Sequence, residues 1–182
     1  LLSMGITCVE RIHQSGADDR RWYFGKGRLQ DVADELESVH PGHLWNGVDI
    51  VVLHCNATPR QLVAISEVIT VEVWDRVRLL LNLFMNHANS VEARTQVRIA
   101  RLQADRTVLR ELSSKRTSGE RAGYGGGGAQ ALQDVLSTVN RELVALRKRQ
   151  SRHAKAQTER RRQRVRSGAK ILGLAGYTNA GK

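Results

Sequence analysis

Two kinds of hydrophobic spacing divide this chain. Up to Trp74, short β-branched or aromatic runs alternate with segments of helical spacing; beyond Asp75 only the helical spacing persists. Ile6 to Ile12 has the composition of a strand. Leu29, Val32, Ala33, Leu36 and Val39 recur three and four residues apart, which predicts a helix over 29–39, and Pro41-Gly42 ends it. Val48 to Leu53 is a continuous apolar run, as expected of a strand covered on both faces. Thr58-Pro59 reads as an N-cap followed by proline at the first helical position, with Leu62, Val63, Ile65 and Ile69 on the helix. Val71 to Trp74 predicts another short strand. Strands separated by single helices indicate a small parallel α/β sheet.

From Val77 to Leu112 there is neither proline nor glycine. Leu80, Leu83, Phe84, Ala88, Val91, Leu102, Leu109 and Leu112 predict one long amphipathic helix. Ser118 to Gly128 interrupts it with six glycines in eleven residues. Leu132, Leu136, Val139, Leu143 and Leu146 then mark a second long helix. Two long helices joined by one loop are expected to pack as an antiparallel hairpin.

Charge changes the picture most in the distal half of that second helix. Arg147, Lys148, Arg149, Arg152, Lys155, Arg160, Arg161, Arg162, Arg164 and Arg166 stand against the single acid Glu159. This stretch of twenty residues holds +9, leaving only +2 of the net +11 for the other 162. So concentrated a basic patch reads as a polyanion footprint, against the plainer reading of a solvated helix face. A membrane-surface helix would need an apolar face, and only scattered Ala and Val are present.

The composition, 41% hydrophobic and 26% charged, is that of a folded chain, with sparse aromatics and an aliphatic core. No apolar stretch approaches the length of a membrane span, and Leu1 to Cys8 lacks the basic flank and cleavage site of a secretory signal. Cys8 and Cys55 sit in apolar runs and are expected to be buried and reduced, which indicates a cytoplasmic protein. The histidines show no metal-ligand spacing; His40 and His43 flank Pro41-Gly42 as loop residues.

Ser167-Gly168 leads into the apolar run Ile171 to Ala175, expected to be a short buried strand, and then Gly176-Tyr-Thr-Asn-Ala-Gly-Lys182. Gly176-x-x-x-x-Gly181-Lys182 is a Walker A phosphate loop (P-loop) without its final Ser or Thr. In such a loop glycines let backbone N–H groups wrap a phosphate, and lysine adds positive charge at the β- and γ-phosphates. The hydroxyl that normally holds Mg²⁺ would follow Lys182. The chain therefore reads as the front part of a larger nucleotide-binding protein.

The four consecutive glycines at 125–128 resist ordering. One reading is a flexible linker. The other is a loop that orders against a partner, with Arg116, Arg121 and Tyr124 available for phosphate and stacking contacts. Gly123-x-Gly125-x-x-Gly128 matches a dinucleotide pattern only formally, because no βαβ unit surrounds it.

In order along the chain, several segments resemble the HflX family of ribosome-associated GTPases. Trp22-Tyr-Phe-Gly-Lys-Gly-Arg28 is similar to that family's Gly-Lys-Gly-Lys turn. Val73-Trp-Asp-Arg76, Leu80-Leu-Asn-Leu-Phe84 and Glu92-Ala-Arg-Thr-Gln-Val97 are similar to the start of its long helix, and residues 176–182 to its phosphate loop. One stretch departs: where the family usually has Gly-Pro-Gly-Glu-Thr, this chain has Gly126-Gly127-Gly128-Ala129-Gln130, with Gln133 at the position of a later Glu.

The resemblance implies an α/β subdomain over 1–75 and a long antiparallel helical hairpin over 76–166 with its glycine-rich loop at 118–128. Over 167–182 it implies the first strand and P-loop of a GTPase domain. It implies binding of the large ribosomal subunit and ribosomal RNA, with the hairpin loop reaching the peptidyl-transferase region, by a protein expected to be monomeric. In the complete protein, GTP and Mg²⁺ would bind at Gly176, Asn179, Ala180, Gly181 and Lys182, with Lys182 the catalytic residue; the chain by itself is expected to be inactive. Two other readings stand beside this one: a non-enzymatic RNA-binding module using the basic helix and glycine-rich loop, and a coiled-coil protein that dimerises through the hairpin.

Overall fold

The computed structural model describes residues 2–119, 126–170, 172, 173 and 175. A single 3₁₀ turn at Leu2–Met4 precedes an irregular stretch. The first regular elements are α1 (Lys26–Glu37), β1 (Ile50–Val52), α2 (Pro59–Ser66) and β2 (Glu72–Trp74). The two strands pair in parallel, Ile50 opposite Glu72 and Val52 opposite Trp74. A parallel pair needs a crossover, and α2 supplies it. The start of α2 follows from its sequence. Thr58 Oγ1 accepts from Gln61 N, the Gln61 side chain accepts from Thr58 N, and Pro59 sits at the first helical position.

Leu29 and Ala33 of α1, Leu53 and Cys55 after β1, and Ile65 and Ile69 around α2 form one apolar core. Trp22, Tyr23 and Phe24 pack against its edge. The β1 residues themselves are half-buried rather than enclosed, because a two-stranded sheet leaves strand edges uncovered.

Beyond Asp75, which caps it through Oδ1 accepting from Arg78 N at 2.8 Å, runs α3 (Arg76–His87). Then come α4 (Val91–Gly119) and α5 (Gly126–Arg166). The expected single helix over 77–112 is thus two. Ala88 leaves the helix with an extended backbone, and Ser90 Oγ accepts from Ala93 N at 3.0 Å to begin α4. Asn-Ser is cap chemistry, and it ends α3 without proline or glycine. The chain then reverses. Arg78 Nη1 meets Asp105 Oδ1 at 3.2 Å and Arg101 Nη1 meets Asn82 Oδ1 at 3.3 Å, so α3 lies antiparallel to α4. No residue of α3 is buried, and Val77, Leu80 and Phe84 are exposed.

α4 and α5 lie antiparallel. Ile99, Leu136 and Leu143 are buried along the helices. Gln133 Nε2 donates to Ser113 Oγ at 3.0 Å, Arg106 Nη1 donates to Asn140 Oδ1 at 3.4 Å, Arg98 pairs with Glu142, and His153 Nε2 lies 2.8 Å from Glu92 Oε1. Helix also extends into both ends of the expected loop over 118–128, since α4 continues to Gly119 and α5 begins at Gly126. The packed helices carry their neighbours into the helical conformation in spite of glycine's low propensity.

Two expected strands do not form among the described residues. Residues 6–12 join no sheet and are mostly exposed, because β1 and β2 pair only with each other. The stretch is tied down by side chains instead, as where Trp45 Nε1 donates to Glu10 Oε2 at 2.5 Å. Leu172, Gly173 and Ala175 lie outside any element, and Leu172 is 93% exposed. An isolated strand has no partner for its backbone groups, so nothing stabilises it. Cys8 is exposed as a consequence, contrary to expectation, whereas Cys55 is buried.

Candidate nucleic-acid interface and phosphate loop

The basic half of α5 is exposed at every position from Arg147 to Lys170. Its last tie to α4 is the His153–Glu92 contact, at the first turn of α4. The thirteen residues from there to Arg166 extend about 20 Å further, at about 1.5 Å per residue. Among the described residues, Arg162 is the only one of the ten cations in an ion pair, with Glu159 Oε2 at 3.9 Å on the same exposed helix. Such a pair is worth a few tenths of a kcal/mol and barely offsets the charge. Exposed and largely polar, this half of the helix is not part of a core. It is a rod of positive charge with a low desolvation cost, and phosphates would neutralise it directly.

Where α5 still touches α4, Arg147, Arg149 and His153 line a cleft with Val91, Glu92, Thr95 and Gln96. Towards the other end of the hairpin, Arg110, Ser113, Ser114, Gln133, Leu136, Ser137 and Asn140 line a second cleft of about 700 Å³. Sequence reasoning missed this cleft, since its residues are ordinary positions on two helices and only their pairing brings them together. Gln133, singled out as a departure from the family pattern, is part of it and fastens α5 to Ser113 of α4.

Arg116 is exposed near the end of α4, and its Nη1 stands 3.0 Å from where a Cβ on Gly128 would lie. A Cβ at 128 would need only the exposed end of the Arg116 side chain to give by a few tenths of an ångström. Arg121 and Tyr124 lie outside the described residues. So do Gly176, Asn179, Ala180, Gly181 and Lys182 of the phosphate loop. The chemistry of that donor set nevertheless fits a nucleotide phosphate, with backbone N–H groups from small residues and one ammonium. Among the described residues, no cluster of His, Cys, Asp and Glu could hold a metal ion, and no helix is long and apolar enough to cross a membrane.

In the α/β unit, the turn from Asp19 to Tyr23 closes through two backbone hydrogen bonds of 3.0 and 2.9 Å. Asp19 Oδ1 accepts from the backbone N–H groups of Trp22 and Arg21, which holds its carboxyl below the usual carboxylate range. Burial, reinforced by Asp75 and Asp18, pushes the Cys55 thiol up.

Residues 1–85 match the family model described as "GTP-binding GTPase N-terminal". The chain is 29% identical to "GTPase HflX" of Thermococcus kodakarensis over all 182 of its residues, and 31% identical to that of Methanocaldococcus jannaschii over 96% of them. It is 26% identical to "GTPase HflX" of Escherichia coli over 99% of its length. Along its whole length the chain is similar to GTPases of the HflX family. It spans about 40% of the length of these HflX relatives, 40, 41 and 41% respectively. A solved GTP-binding protein from Sulfolobus solfataricus in complex with GDP aligns over 73% of this chain and 35% of its own, at 19% identity and a TM-score of 0.46.

Proposed function

We propose that this chain is the ribosome-binding part of an HflX GTPase, and that its hairpin and basic helix contact ribosomal RNA of the large subunit. The observation that supports this reading is the exposed basic half of α5, with +9 over residues 147–166, leading directly to the phosphate-loop sequence. In the complete protein, the backbone N–H groups of Gly176, Asn179, Ala180 and Gly181 hold the phosphates of GTP. Lys182 stabilises negative charge on the transferred group. Mg²⁺, if held beside these residues, would supply further positive charge to the phosphates. Arg116, Arg121 and Tyr124 at the hairpin end make phosphate and stacking contacts with RNA. The three units, residues 1–75, 76–166 and 167 onward, divide the work into support, RNA recognition and nucleotide chemistry, in a cytoplasmic protein that works as a monomer.

The test is sedimentation of the chain with purified large ribosomal subunits at increasing salt. Affinity is expected to fall by on the order of a thousandfold or more between 50 and 200 mM salt if six or more phosphates are bound. The triple substitution Arg160→Gln, Arg161→Gln, Arg162→Gln is expected to weaken binding and to lower the salt slope by roughly one unit for each phosphate no longer neutralised. An unchanged slope would return the helix to a solvated surface. GTP turnover in the complete protein, abolished by Lys182→Ala and absent from the 182-residue chain, checks the nucleotide half of the reading.

A further inference from the structure

Residues 20–30 hold four cations, Arg20, Arg21, Lys26 and Arg28, and no acid. All four are exposed. Some cations elsewhere pair with carboxylates, as Arg78, Arg98, Arg101 and Lys115 do, while most of those in the basic half of α5 do not. None of these four has a carboxylate within 4.0 Å among the described residues. The nearby Asp19 carboxylate is occupied by backbone N–H groups of the turn.

This cluster is also held in place. Trp22 is half-buried and packs on the α/β core. The Arg21 guanidinium carbon lies 4.6 Å from the Trp22 ring centroid, and Lys26 Nζ lies 5.8 Å from it. Stacking uses the flat face of a guanidinium and leaves its in-plane N–H donors free for an anion. A stacked arginine has also given up part of the rotamer entropy that binding would otherwise cost. Tyr23, next in the chain, has φ 63°, the only positive φ among described non-glycine residues. Strain of this kind persists only where surrounding structure enforces it. The turn is thus a mount for cations that form no ion pair within 4.0 Å among the described residues, although the Asp19 carboxylate acts on Arg21 at longer range and Asp18 and Asp31 flank the stretch.

We propose that Arg20, Arg21, Lys26 and Arg28 form a second RNA contact in the α/β unit, gripping the phosphodiester backbone with the guanidinium stacked on Trp22. This rests on the reading of the chain as an RNA binder and adds a second site to the basic helix. Free solvated cations would need neither the aromatic mount nor the strained turn.

The test uses the 182-residue chain, purified large ribosomal subunits and a fluorescein-labelled poly(U) oligonucleotide. The fourfold variant Arg20→Gln, Arg21→Gln, Lys26→Gln, Arg28→Gln changes only exposed side chains and should keep the wild-type melting curve. It is expected to weaken binding of both probes about tenfold and to lower the salt slope by roughly one unit for every phosphate it ceases to neutralise. The triple Arg160, Arg161, Arg162 variant is measured beside it. Weakened binding in both variants supports two sites. Weakening only in the helix variant overturns the second contact and leaves the first reading standing; weakening in neither overturns both. Arg21→Lys keeps the charge but removes the stacked fork, and is expected to weaken binding about threefold. Wild-type affinity in Arg21→Lys would overturn the stacked grip.

Discussion

Cys8 and Cys55 show how far residue type alone can mislead. Both stand in apolar runs, yet one faces water and the other lies in the core between Leu53 and α2. Burial raises the Cys55 thiol, and the carboxylates of Asp75 and Asp18 raise it further by disfavouring the thiolate. Iodoacetamide at neutral pH is expected to label Cys8 quickly and Cys55 only in the denatured chain, read by mass spectrometry of the peptides. Equal labelling of the two would show that the core opens readily. The sign of the pH effect follows from the same shift. Between the ordinary thiol value and the higher folded one, the unfolded chain ionises first, so stability declines as pH rises into that alkaline window.

At the scale of elements, α5 is one helix with two characters. Leu136 and Leu143 are buried against α4, while every described residue past Leu146 is exposed. The exposed half carries like charges four residues apart at Lys148 and Arg152, Arg160 and Arg164, and Arg162 and Arg166. Each such pair is unfavourable by about 0.2–0.5 kcal/mol. In hydrogen exchange, backbone amides of 147–166 are therefore expected to exchange faster than those of 132–146. Bound RNA should slow them by neutralising the repulsion. Equal protection of both halves in the free chain would mean that the basic half packs on something. The basic composition was legible in sequence; that it projects free of α4 was not, because this depends on where α4 begins. Its start at Ser90 is set by a local cap, but the broad apolar periodicity through 77–112 conceals the cap.

At the scale of the whole molecule, a few long-range ties join the α/β unit to the helices. Arg78 Nη2 meets Glu72 Oε1 of β2 at 2.6 Å while its Nη1 meets Asp105 of α4, and Lys115 of α4 pairs with Glu67 just beyond α2. Arg78 is two-thirds buried and its Nε has no partner, so its ion pairs are partly offset by desolvation. Arg78→Met is expected to lower unfolding free energy by about 1 kcal/mol, measured by urea denaturation. A double-mutant cycle with Asp105→Asn should show coupling between the two sites. Zero coupling would make the 3.2 Å ion pair between them energetically idle.

Interactions that span four residues or fewer could be read directly from sequence. The capping box at Thr58 and Gln61, the alternation of strand and helix from Leu29 up to Trp74, and the heptad-like spacing of Leu132 to Leu146 all formed, because each depends on neighbours along the chain. The four cations of residues 20–28 were visible there too, but not the ring beneath Arg21 nor the absence of opposing carboxylates. Only tertiary structure buried Cys55 but not Cys8, left residues 6–12 without a partner strand, and joined Gln133 to Ser113. Those outcomes turn on contacts between residues some twenty or more positions apart, such as the 20-residue separation of Gln133 and Ser113. Contacts at such separations leave no periodic trace in one sequence, since packing and loop closure decide which distant segments meet.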